Sequence, residues 1–298
     1  MGAQDKFSVL PCWGLHAVIG LALVFQPLSA RAQEIPIVQS GAEGRFERQI
    51  DGKVSIAGVD RAMLARFRGA IDRLIAQLAA MPSVSAPPAP VCHRLMSFVE
   101  VTRPHGVLSG SVSVLSPISF AAGRCHRMTG GGVEVIMNRM DAAFETSRAH
   151  MSDVENGRAN WFIMGPEVSG NIVRLPNGTI VITNGKPILT PVSARRYRAE
   201  HEKRFGPMKG VLTEQTAGKQ ACLDESIWSI DPAADCPPAR RIWEANPDYF
   251  DAARVGDVQL LVLRTPQGPY HGESEARYQA RKTIWASIDL DGLAEQVR

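Results

Sequence analysis

Apolar residues recur at three- and four-residue spacing between positions 60 and 80. Met63, Leu64, Phe67, Ile71, Leu74, Ile75 and Leu78 fall on one stripe, and Arg61, Arg66, Arg68, Asp72, Arg73 and Gln77 on the other. That period predicts an amphipathic helix. Asp60 stands where an N-cap carboxylate accepts the first free backbone N–H groups, and Pro82 cannot continue the helix. The following run, Pro82-Ser-Val-Ser-Ala-Pro-Pro-Ala-Pro90, reads as an extended linker stiffened by proline.

Beyond the linker the pattern becomes strand-like. Residues 95–101, 107–115 and 133–137 carry β-branched residues in short runs or in alternation. Between 171 and 189, two turn signals, Pro176-Asn177-Gly178 and Asn184-Gly185, separate β-prone runs. They predict two tight hairpins and a three-stranded antiparallel meander. Ser193 is placed to cap a helix running to Phe205, which Gly206 and Pro207 close. Residues 258–264 read as a strand, and Asp289-Leu290-Asp291 opens a short terminal helix. Helices at both ends with a central, mainly antiparallel sheet and a hairpin meander define an α+β fold, not a doubly wound parallel one.

The first 32 residues depart from this pattern. A short polar start contains Lys6, an apolar stretch runs from Ala17 to Phe25, and Ala30-Arg31-Ala32 puts small residues at the two positions a signal peptidase reads. The apolar stretch is too short to span a bilayer as a lone helix. The expected organisation is a signal peptide over 1–32 cleaved after Ala32, an N-terminal helical segment over 33–81, the linker over 82–90, and an α+β domain over 91–298. No later segment is apolar and long enough to form a transmembrane helix. The expected location is therefore exported, periplasmic or secreted.

Composition adds little. With 45% hydrophobic and 21% charged residues the chain can bury a core, and a formal net charge of +3 argues for neither a nucleic-acid groove nor a polyanionic partner. Removing Lys6, Arg31 and Asp5 with the signal changes that balance by a single charge. Four cysteines remain: Cys92, Cys125, Cys222 and Cys236. An even number in an oxidising compartment favours disulfides. Of three pairings, Cys92–Cys125 with Cys222–Cys236 is preferred, because closures near in sequence form most readily.

Two segments carry a resemblance. Lys186-Pro187-Ile188-Leu189-Thr190-Pro191-Val192-Ser193 with Tyr197, and Asn246-Pro247-Asp248-Tyr249-Phe250-Asp251, are similar to segments of exported bacterial proteins that carry no assigned function. The resemblance implies a place in the bacterial envelope and no activity.

Candidate chemistry is sparse. Cys92-His93 and Cys125-His126 supply two thiols and two imidazoles, but neighbouring strand residues point to opposite faces, so a disulfide with bystander histidines is the better reading than a metal site. Glu200-His201-Glu202 lacks the second histidine, one turn on, of a zinc-protease helix, and His201 shares a stripe with Tyr197 and Phe205. Neither a Gly-x-Ser-x-Gly elbow nor a Ser-x-x-Lys motif occurs. Asn177-Gly178-Thr179 fits a glycosylation acceptor as well as a hairpin.

The densest polar-aromatic span holds Trp243, Asp248, Tyr249 and Asp251, which could line a glycan or peptide site or anchor a turn. No metal and no cofactor is implied. The expectation is an exported, non-catalytic protein that binds or scaffolds a protein or glycan partner in the cell envelope. The competing class is an exported hydrolase whose residues converge only in three dimensions, drawing on His93, His105, His126, His150, His201, Glu200, Asp248 or Asp251.

Overall fold

A computed structural model describes residues 45–49, 58–88, 91–101, 106–115, 119–121, 124–126, 132–144, 161–207, 213–222 and 236–298. The expected signal peptide and its cleavage site lie outside them, as do His105 and His150. Their centre is an eight-stranded sheet. In chain order its strands are β1 (Arg45–Gln49), β2 (Cys92–Val101), β3 (Leu108–Leu115), β6 (Gly132–Met137), β8 (Glu167–Ser169), β9 (Ile172–Arg174), β10 (Ile180–Thr183) and β13 (Leu260–Arg264). In space the order is β1-β2-β3-β6-β13-β10-β9-β8. Every pair is antiparallel except β1 with β2, which are joined through the helical segment. The fold is α+β, as the periodicity predicts.

The first helix, α1 (Arg61–Ala80), forms where its stripe requires. Asp60 caps it by accepting from the N–H groups of Ala62 and Met63. Its apolar face, Phe67, Ile71, Leu74, Ile75 and Leu78, packs on one face of the sheet. That face is a continuous apolar ladder: Leu95 opposes Val114, Val112 opposes Val135, Val135 opposes Leu263 and Leu263 opposes Ile180. At Gly110 a Cβ would sit 2.7 Å from the Phe98 carbonyl oxygen and 3.2 Å from Phe67 and Ile71. The missing side chain lets α1 approach the sheet closely.

The Pro-rich stretch differs from the expected linker. Pro82–Ser85 forms a short helix, α2, with Pro82 at its first position and Val84 fully buried. Proline is tolerated in a first helical turn, and Val84 joins the core that α1 shares with the strands. Residues 58–81 and the sheet therefore have one core in common.

The other face of the sheet is covered over only part of its width. A short helix, α3 (Met140–Phe144), and a three-stranded sheet of β11 (Leu189–Pro191), β12 (Ile242–Ala245) and β7 (Trp161–Ile163), in that order, lie over β6, β13, β10 and β9. Phe162, Trp243, Ala245 and Leu189 face inward. Trp161 and Ile242 face outward, against Val192, Ala194 and Tyr197 of a helix, α4 (Ala194–Phe205), and its lead-in. Ser193 caps α4 by accepting from the Arg196 N–H, and Gly206 ends it at φ 84°.

The predicted meander is redrawn. Pro176-Asn177-Gly178 does turn β9 into β10, with Gly178 at φ 81°. Asn184-Gly185 instead hands the chain to the small sheet, where β11 pairs with β12. The Tyr249 hydroxyl accepts from the Asn184 N–H and Asn246 holds the Ile188 and Pro187 carbonyls, so distant residues divert the strand. The third meander strand is β8, joined to β9 through Gly170.

After a short helix, α5 (Glu214–Ala217), two further helices, α6 (Glu275–Ala286), which the sequence reading missed, and α7 (Leu290–Ala294), return to the α1 side, where Ile284 and Leu293 join the core. Asp289 caps α7 by accepting from the Gly292 N–H.

Candidate functional site

The expected binding segment is a structural turn. Tyr249 is fully buried; its hydroxyl donates to the Gln259 carbonyl at 2.6 Å and accepts from Asn184 at 3.2 Å, and burial raises its pKa. Trp243 packs inward, and its indole N–H donates to the Met164 carbonyl at 2.9 Å. Asp248 is exposed in the turn that Asn246 forms, and the Asp251 carboxylate caps a short helical turn by accepting from Ala253. Gln259 pins both ends of that turn through Asp251 and Arg254. The aromatic members are committed to the core and the Asp251 carboxylate to the backbone, while Asp248 is exposed.

The histidine candidates are placed apart. His93 is fully buried on β2; its Nδ1 meets the Val84 carbonyl at 3.1 Å, while Nε2 has no hydrogen-bond partner among the described residues. Burial lowers its pKa, with the Val84 carbonyl opposing that shift. His201 lies on α4 beside Tyr197, ring centroids 6.0 Å apart, and burial pushes the Tyr197 hydroxyl up to about 12. Glu200 is exposed on the same helix. Among the described residues no group of three or more His, Cys, Asp or Glu side chains is placed to hold a metal.

The basic run on α4 is tied to carboxylates. Arg196 forms two hydrogen bonds to Glu244, at 2.6 and 2.7 Å, Arg195 pairs with Glu214 and Arg198 with Glu202. The Arg196–Glu244 pair docks α4 on β12, Arg195 reaches the short helix that begins at Glu214, and Arg198–Glu202 lies within α4. Cys222 and Cys236 are disulfide-linked with Cα atoms 5.7 Å apart, and Cys92 is disulfide-bonded too. Asn177 accepts from the Thr179 N–H at 3.0 Å, as a hairpin turn demands.

What the fold does assemble is a cavity of about 570 Å³ on the partly covered face. Strand β6 supplies Gly132 and Glu134, the end of β13 supplies Arg264 with Thr265, Pro266 and Gln267, and the β9–β10 turn supplies Asn177 and Thr179. Glu134 and Arg264 are cross-strand partners, with Nε donating to Oε2 at 2.5 Å. Each is about one-third exposed, at 31% and 33%. Sequence reading missed both. The only local signal is a lone charge inside an apolar strand, Val133-Glu134-Val135 and Leu263-Arg264.

The cavity rim is fixed from behind by a buried ion pair. Arg281 on α6 meets both Glu273 carboxylate oxygens, at 3.0 and 2.8 Å, and also bonds Thr265 Oγ1 at 3.0 Å and the carbonyls of Pro266 and Gly268. Both side chains are almost fully buried, at 3% and 0% exposure. Tyr270 lies within cation–π reach of Arg277 and Arg281. This knot holds residues 265–273 against α6.

Fold and site together define an α+β protein with a small-ligand-sized, partly covered cavity. No family model matches the chain, and no curated protein or solved structure matches it.

Proposed function

We propose that this chain is an exported envelope protein that works by non-catalytic binding, through the cavity at Glu134 and Arg264. The carrying observation is the cavity itself: its volume of about 570 Å³ falls in the range of small-molecule sites, and its rim is pre-organised by the Arg281–Glu273 knot. Of the side chains singled out by sequence, Trp243, Tyr249, His93 and His201 pack in the interior and Asp251 caps a turn. Export is supported by the signal-like first 32 residues and by the Cys222–Cys236 disulfide. The preferred partner of Cys92 is Cys125, on the short strand β5 (Arg124–His126), which pairs with β4 (Ser119–Ala121) and lies against β2. No helix among the described residues is long and apolar enough to cross a membrane.

Mass spectrometry of the protein recovered from its own exported fraction, without reductant, tests this reading. The expected chain begins at Gln33, is lighter by the hydrogens lost in two disulfides, and retains or takes up a small molecule without converting it. Turnover of ester, amide or glycoside reporter substrates, lost on substitution of Glu134, would replace binding with the hydrolase class. A chain found only in the cytoplasm with its leader intact would remove the envelope from the reading.

A further inference from the structure

The chain carries Asn-Gly at 156, 177 and 184, and the pair at 156 lies outside the described residues. In such a pair the asparagine side chain is open to attack by the next backbone nitrogen, because glycine brings no Cβ to crowd the approach. We infer that the fold shields Asn177 and leaves Asn184 open to this reaction, so that Asn184-Gly185 is a self-modification site at the junction of the two sheets.

The reaction needs only the chain and water. The Gly185 backbone nitrogen bonds to Cγ of Asn184, the Cγ–Nδ2 bond breaks, and ammonia leaves with the proton that the Gly185 nitrogen gives up. Water then opens the cyclic imide at one of its two C–N bonds. Opening at Cγ returns aspartate; opening at the main-chain carbonyl leaves isoaspartate, with the backbone now running through Cβ and Cγ. Nothing is oxidised or reduced, and either product puts a carboxylate where a neutral amide stood.

The two sites share one feature: each asparagine Oδ1 accepts the N–H two residues on, from Thr179 at 3.0 Å and from Lys186 at 3.1 Å. They differ at the nucleophile. The Gly178 N–H donates to the Leu175 carbonyl at 2.9 Å, closing a turn that the β9–β10 ladder clamps, and the Gln267 amide fills the space beside its Cα. The Gly185 N–H makes a longer bond, 3.3 Å, to the Thr183 hydroxyl. Apart from its neighbours in the chain, a Cβ on residue 185 would meet nothing nearer than 3.8 Å. Gly185, Lys186 and Pro187 are exposed between the end of β10 and the start of β11. Water, room and a loosely held nitrogen thus coincide at 184.

The place gives the reaction its effect. The Asn184 N–H donates to the Tyr249 hydroxyl and Lys186 Nζ to the Tyr249 carbonyl at 3.4 Å, where the chain passes from one sheet to the other. Isoaspartate lengthens that passage by one backbone atom and loosens the small sheet over the second face, leaving the α1 side as it was.

Peptide mapping by mass spectrometry tests this on the full mature chain, incubated folded at mildly alkaline pH beside the same chain reduced and unfolded in urea. Folded, conversion at 184 is expected to outpace that at 177 by about tenfold, since the slower site must give up its turn bond. Unfolded, the two sites should convert at similar rates. A folded-state ratio no larger than the unfolded one overturns the inference, as does an intact Asn184 after the time in which the unfolded chain converts. Hydrogen exchange of the charge-separated fraction converted at 184 reads the consequence: residues 189–191 and 242–245 exchange faster, while the β2–β3 ladder keeps its protection. Unchanged exchange in the small sheet overturns the effect at the junction.

Discussion

The two faces of the eight-stranded sheet are made by the same strands and behave differently. On the α1 side the residues that oppose one another from Leu95 and Val99 on β2 across to Ile180 and Ile182 on β10 are buried and, apart from Ser97 opposite Val112, apolar, and four helices seal that face. On the other side one row runs Val173, Val181, Val262, Ile136, Ser111, Phe98; burial is complete as far as Ile136 and gone at Phe98, which is 54% exposed. The neighbouring row holds Ser113, Glu134 and Arg264. Packing saturates one face. The other keeps room for a charged pair and a cavity because the small sheet covers only part of it. Stability and ligand contact are thereby assigned to opposite sides of one set of strands.

That comparison can be broken most forcefully from behind the cavity. Arg281→Met leaves the Glu273 carboxylate buried without its partner, which costs about 3–5 kcal/mol, measured by urea denaturation. A loss within the range of a surface pair, under about 1 kcal/mol, would mean that the knot is solvated and that the rim is not fixed by it. Next in size, Leu95→Ala on the sealed face costs about 2–5 kcal/mol. Three residues along the same strand, Phe98→Ala should cost under about 1 kcal/mol, since an exposed side chain leaves little cavity behind. Equal losses at the two positions would abolish the distinction between the faces.

His93 sharpens the comparison through pH. Its folded pKa is lowered below the ordinary value of 6.5, chiefly by burial. The unfolded chain therefore takes up the proton first, and stability is lost as pH falls below about 6.5, until folded His93 itself titrates. The slope contributed by this one group cannot exceed about 1.4 kcal/mol per pH unit. Denaturation curves between pH 5 and 7 should flatten in His93→Asn by up to that amount. An unchanged slope would mean that the ring titrates alike in the folded and unfolded chains and that burial does not shift it.

The sequence by itself determined what is local. The α1 stripe and its Asp60 cap, the Ser193 and Asp289 caps, the Gly206 stop and the Asn177-Gly178 hairpin each depend on residues within a turn or two of one another. Their geometry follows from backbone sterics and from the free N–H groups of a helix start. The strands of the sealed face were legible for the same reason, since β-branched runs mark themselves.

Only the tertiary structure decided where those strands pair and which polar residues meet. Glu134 and Arg264 are 130 residues apart, and no local rule sets the register that puts them opposite each other. The Asn184-Gly185 turn obeys its own preference, yet Tyr249 and Asn246 send the strand after it to a second sheet. The Trp243-to-Asp251 span looked like a binding surface because composition reports chemistry without burial. Burial comes from partners far along the chain, and it turned those aromatics inward while building the cavity from residues that no motif had marked.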